Sequence, residues 1–139
     1  SGDPNNFNLN DCSSQRNLNS DGRRQAQYIG EFFRENKIKI NKVLSSEWCR
    51  CKETADIAFK DFSTNSFLNS FYSPKYKKNK YKQIEELNNY VKKFKSNKNL
   101  IFVTHYVLIS EVLNYGPSSG EIVVSDNNFN IVGTLEIDY

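Results

Sequence analysis

Leu100-Ile101-Phe102-Val103-Thr104-His105 is the stretch on which the fold turns. Four consecutive β-formers that follow a Lys- and Asn-rich segment read as a strand buried on both faces, the kind found inside a parallel sheet. The only histidine in the chain then stands at the carboxyl end of that strand. Ligands of open α/β sheets bind in the crevice outside those ends. His105 is therefore a candidate for chemistry, with a satisfied core histidine as the competing reading.

Working outward, Lys42 to Ser45, with Val43 and Leu44 central, reads as a second short buried strand. Ser46 offers an N-cap, and Glu47 to Lys60 follows as a helix with Trp48, Cys51, Ala55 and Ala58 or Phe59 on one face. Arg50 falls in the first turn of that helix, where backbone amides and the dipole already favour an anion. A guanidinium there adds bidentate recognition of phosphate or carboxylate. An ordinary solvated helix arginine is the alternative.

The flanking chain supplies the other layers. Ser1 to Ser14 is a polar loop, and a helix is expected from Asp21 to Asn36, capped by Asn19 or Ser20, with Gly22, Ala26, Ile29, Phe32 and Phe33 as its apolar stripe. Asp61 to Pro74 is a loop dense in Phe62, Phe67, Leu68, Phe71 and Tyr72, which suggests a segment packed down over something. Lys75, Lys77, Lys78, Lys80 and Lys82 form a basic run, read either as a solvated face or as an electropositive rim that draws in anions. A helix from Tyr81 to Ser96 follows, striped by Ile84, Leu87, Val91 and Phe94. After His105 a helix runs from Tyr106 to Tyr115. Glu121 to Ser125 and Ile131 to Ile137 then flank Asp126 to Asn130 as a hairpin, expected as an antiparallel edge on the sheet. The fold class is α/β, with a mainly parallel central sheet flanked by helices and a C-terminal antiparallel hairpin.

Composition narrows the function. At 139 residues and 37% hydrophobic content the chain fits one domain, 1–139, around one core. A formal net charge of +3, with both signs interspersed, does not point to a nucleic-acid partner. No apolar run is long enough to span a bilayer. The chain lacks Met and opens on Ser1-Gly2-Asp3-Pro4, so an upstream segment is expected.

Five blocks carry a family resemblance: Gln15-Arg16-Asn17-Leu18, Gly22-Arg23-Arg24-Gln25-Ala26, Ser45-Ser46-Glu47-Trp48-Cys49-Arg50-Cys51-Lys52-Glu53-Thr54-Ala55, Val103-Thr104-His105 and Ser119-Gly120-Glu121. From about Asp11 to Val124 they resemble, in order, the histidine phosphatase superfamily with its phosphoglycerate-mutase-like fold. Among its members the chain is most similar to the small SixA-like phosphatases. The resemblance implies hydrolysis of phosphomonoesters, or of protein phosphohistidine, through a phosphohistidine intermediate with no metal or organic cofactor. It implies His105 as the second site histidine and Arg50 as the arginine on the phosphoryl oxygens, with Ser46 and Arg16 as further substrate-binding candidates. The family's Arg-His motif, which supplies the nucleophile from the first strand, is missing here. That strand is expected upstream, between the strands ending at Ser46 and His105, and without it both would have unpaired edges and the chain would be inactive and poorly stable.

The resemblance also departs at Tyr106, where the family has Gly or Asp, and this leaves the leaving-group acid open among Glu53, Asp61, Glu85 and Glu86. Cys49 and Cys51 point to different helix faces. Family geometry brings the Cys12 loop near that helix, so Cys12 can pair with either, or all three can stay free thiols. The cysteines show no recognisable zinc spacing. A phosphorylated small molecule or phosphoprotein is the expected partner, the chain is expected to be a monomer, and periplasmic, exported and cytoplasmic locations all stay open. A relative that binds phosphorylated ligands without turnover is the alternative function.

Overall fold

Both apolar runs become strands, and they pair with each other. In the computed structural model, which describes residues 2–137, β1 (Ile40–Ser45) and β3 (Asn99–Val103) run parallel. Leu44 stands opposite Phe102 and Ser45 opposite Val103. The short β2 (Ser63–Thr64) adds in parallel to the other side of β1, giving the order β2-β1-β3. Neighbouring strands lie about 4.8 Å apart, so no strand fits between β1 and β3. The expected gap there is not found. Among the described residues the edges of the sheet are β2 and the outer side of β3, and the second explains why Leu100 to Val103 are half-buried rather than fully enclosed.

Pleating sends adjacent side chains to opposite faces. Leu44 joins Phe67, Leu68, Phe71, Leu87, Val91 and Leu108 in one apolar cluster, with Phe102 packed against it. Full burial of such side chains contributes about 1.5 to 3 kcal/mol each. Two elements supply Leu87, Val91 and Leu108: α4 (Lys80–Lys93) and α5 (Tyr106–Leu113). The aromatic loop after Asp61 does pack down, through Phe67, Leu68 and Phe71, while Tyr72 stays exposed. A single-turn helix, α3 (Pro74–Lys77), then leads into α4. Helix α4 ends at Lys93, three residues short of the expected Ser96, and beyond its cap residue Phe94 the chain is Lys, Ser and Asn.

Two helices pack on each other beside the sheet, α1 (Ser20–Glu35) and α2 (Cys49–Phe59), with α2 also against β1 and β3. The Asn19 side chain caps α1 by accepting the Gly22 N–H. Close approach of the two helices depends on Gly30: a Cβ there would stand 2.4 Å from the Ala58 carbonyl oxygen.

The hairpin forms as β4 (Ile122–Ser125) and β5 (Ile131–Leu135) in antiparallel pairing. It is not an edge of the parallel sheet, as the sequence had suggested, but a two-stranded sheet of its own. Asp126 organises its turn by accepting the Asn128 and Asn130 N–H groups. Phe129, in the turn, anchors the hairpin to the apolar cluster. Among the described residues no helix is long and apolar enough to cross a membrane.

Candidate active site

Because β1 and β3 are parallel and in register, they end side by side, and the residues that follow them meet across the carboxyl edge. The Ser46 N–H donates to the Val103 carbonyl at 2.9 Å. The Ser46 Oγ lies 2.8 Å from Nε2 of His105. His105, the residue that precedes α5, is only 7% exposed. Burial, then the positive charges of Arg50 and Arg16 against the opposing Asp3, pushes its pKa down to about 3. The imidazole is neutral at pH 7.

Arg50, in the first turn of α2, reaches the same edge and holds a carboxylate. Its Nη1 donates to Oδ1 of Asp3 at 2.9 Å, and the two side chains are 17% and 8% exposed. The Arg16 N–H donates to the same oxygen at 2.9 Å and the Trp48 indole N–H to the other at 3.0 Å. Burial pulls the Asp3 pKa up, but these hydrogen bonds and the Arg50 charge outweigh it and hold the carboxyl below its usual 3.8. Trp48 forms the wall between these groups, its ring centroid 5.1 Å from that of His105, 5.2 Å from Tyr76 and 5.6 Å from Phe7. From the basic run, Lys75 sits over Tyr76 with its Nζ 5.5 Å from the ring centroid.

Beneath this surface lies a buried polar layer. Asn69 accepts the Glu47 N–H on Oδ1 at 2.9 Å and donates from Nδ2 to the Glu47 carboxylate at 2.8 Å. Its Oδ1 is 3.2 Å from Ser46 Oγ. Cys51 Sγ lies 3.7 Å from His105 Nε2 and 3.7 Å from the Thr104 carbonyl. Burial pushes that thiol up to about 12, so it stays protonated.

Several expectations change at this site. Ser46 does not cap α2. The residue preceding that helix is Trp48, without a side-chain cap bond, and the Ser46 hydroxyl instead accepts the Trp48 N–H. Ser46 is fully buried, which leaves it no surface for a ligand and makes it a support for His105. Two of the amides around the start of α2 are already engaged, the Glu47 and Cys49 N–H groups donating to Asn69 and Gln15. Arg16 meets the site through its backbone: its N–H binds Asp3 and its carbonyl accepts from Arg50 at 3.4 Å, while the residue is exposed. Of the acid candidates, Glu53 pairs with Arg23 at 3.0 Å, and Asp61, Glu85 and Glu86 are exposed. Asp61 lies two residues before β2, whose Ser63 and Thr64 pair with the last two residues of β1.

Sequence reasoning did not single out Asp3, Gln15 or Asn69. Asp3 sits in a polar loop and Asn69 in an aromatic one, with no periodicity to mark either. Cys12 pairs with Cys49, with Cα atoms 5.7 Å apart and a sequence separation of 37, and Cys51 remains a buried free thiol. This disulfide ties the loop that carries Asp3 and Gln15 to the start of α2.

The sequence profile of the histidine phosphatase superfamily (branch 1) matches residues 11–98. The chain belongs to that superfamily. The matched stretch contains Arg16, Ser46 and Arg50, while Asp3 and His105 lie outside it. Membership of the histidine phosphatase superfamily brings activity of the phosphatase or mutase type. No curated protein matches the chain.

Proposed function

We propose that this member of the superfamily is a phosphatase, hydrolysing phosphomonoesters or protein phosphohistidine through a phosphohistidine intermediate. The observation that carries the reading is that Arg50 already holds an anion. The Asp3 carboxylate accepts from a guanidinium, a backbone amide and an indole N–H beside a neutral imidazole. Phosphoryl transfer needs such fixed donors around the equatorial oxygens more than it needs covalent help.

In this reading Arg50 binds the phosphoryl oxygens in place of Asp3, and His105 lies next to them. The attacking nitrogen comes from a histidine on an apolar strand upstream of Asp3, and the unpaired outer edge of β3 is where that strand would pair. Its lone pair forms the new N–P bond as the P–O bond of a monoester, or the P–N bond of a phosphohistidine, breaks, and the leaving atom takes a proton from water. Water then cleaves the N–P bond and releases phosphate.

The test is hydrolysis of an aryl phosphate by the protein with its upstream segment. Arg50→Ala is expected to lower kcat/KM by roughly a hundredfold or more, the cost of losing one preorganised donor. Lys78→Ala removes only field at the rim and is expected to stay within about twofold. Equal losses would refute the placement of the site. Phosphate binding that needs Arg50, without any hydrolysis, would make the protein a binding relative rather than an enzyme.

A further inference from the structure

The protons around His105 can be counted. Asn69 is locked in one orientation, because the Glu47 N–H needs an oxygen opposite it and the Glu47 carboxylate needs an amino group. The atom that Asn69 turns toward Ser46 is therefore Oδ1, which only accepts. Ser46 Oγ has one proton and two lone pairs; around it stand the Trp48 N–H, Asn69 Oδ1 and His105 Nε2, with the Cys51 thiol also in hydrogen-bonding contact. The first three contacts are satisfied in one arrangement. The hydroxyl proton goes to Asn69, one lone pair takes the Trp48 N–H, and the other takes a proton carried on Nε2.

Cys51 leads to the same result. Its sulfur lies 3.7 Å from the Thr104 carbonyl, which only accepts, so the thiol proton points there. What the sulfur offers Nε2, also at 3.7 Å, is a lone pair. Two neighbours of Nε2, themselves in contact with each other, thus both face it as acceptors.

We propose that the chain Glu47–Asn69–Ser46, together with Cys51, fixes His105 as the Nε2–H tautomer, so that Nδ1 is its working nitrogen and acts as a proton acceptor. Among the described residues no hydrogen bond engages Nδ1, which leaves its lone pair available at the site. The role of that nitrogen rests on the phosphatase reading. There Nδ1 takes a proton from the water that cleaves the phosphohistidine, and in this state it cannot donate a proton to a phosphoryl oxygen. Ser46 and Asn69 are positioning residues: they touch the imidazole or its neighbour, not the substrate.

The 139-residue chain has one histidine, so in this chain a single set of imidazole nitrogen resonances reports the answer directly. With the chain labelled with 15N-histidine, the two-bond correlation pattern at pH 7 is expected to be that of a neutral Nε2–H ring. A predominantly Nδ1–H or doubly protonated ring would overturn the proposal, whatever the activity. Asn69→Ala frees the Ser46 proton to turn toward Nε2 and is expected to shift the tautomer ratio roughly tenfold toward Nδ1–H, about the worth of one hydrogen bond. Asn69→Asp combined with Glu47→Gln keeps both the acceptor toward Ser46 and a donor–acceptor pair at Glu47, and is expected to keep the Nε2–H form. An unchanged ratio in folded Asn69→Ala would remove Asn69 from the assignment. These spectra are independent of turnover, so they fail separately from the Arg50 test of the phosphatase reading.

Discussion

Reducing the Cys12–Cys49 disulfide is the most direct way to perturb the site without touching it. The bond closes a loop with a sequence separation of 37 and ties the loop carrying Asp3 and Gln15 to α2. Removing a closure of that length from the unfolded ensemble lowers stability by about 4 kcal/mol at 25 °C on the chain-entropy relation. With a urea m-value of about 2 kcal/mol/M for a domain of this size, the midpoint is expected to fall by about 2 M. The assay is a urea titration followed by Trp48 fluorescence, with and without reductant, with Cys12→Ser beside it. The variant should melt where the reduced protein does and should not respond to reductant. The same midpoint in oxidised and reduced protein would show that the cross-link does not constrain this loop and would refute the reasoning.

Acid should destabilise the chain through His105. Because the folded pKa of His105 is about 3 against 6.5 for a free ring, the unfolded state binds the extra proton. The stability His105 contributes is full above about pH 6.5 and is lost as pH falls toward 3, by about 2 kcal/mol at pH 5; urea midpoints at pH 7 and pH 5 check this, and His105→Gln should remove most of the difference. Gly30→Ala is expected to destabilise by about 1 to 3 kcal/mol, since the added methyl meets backbone at Ala58 rather than a side chain that can turn away. An unchanged melting temperature for that variant would mean that α1 and α2 pack less closely than described.

The architecture was legible wherever period or apolar run carried it. Leu100 to Val103 and Val43-Leu44 announce the two parallel strands, and Ala26, Ile29, Leu87 and Val91 announce buried helix faces, because burial repeats with the period of the backbone. Strand order was not legible in the same way. The pairing of β1 with β3 and the separateness of the hairpin depend on which edges meet, and edges leave no periodic trace. His105 and Arg50 were readable from their places after a strand and in a first helical turn. Asp3 and Asn69 were not, since each acts through tertiary contacts from a loop whose composition is polar or aromatic for reasons of its own. Ser46 was found for the wrong reason: its hydroxyl serves an imidazole 59 residues away rather than the helix beside it.

That separation has a kinetic side. Parallel pairing of β1 with β3 brings together stretches with three α-helices between them, and the closure entropy of such a loop must be met before the pairing returns anything. The α1–α2 contact is made between elements nearer in sequence and can form without β3. The imidazole then meets its serine only once the sheet has closed, so a partly folded chain can have most of its helix and no site. Helix content by circular dichroism would recover ahead of the His105 environment during refolding, and the histidine resonance would be the more faithful measure of native protein.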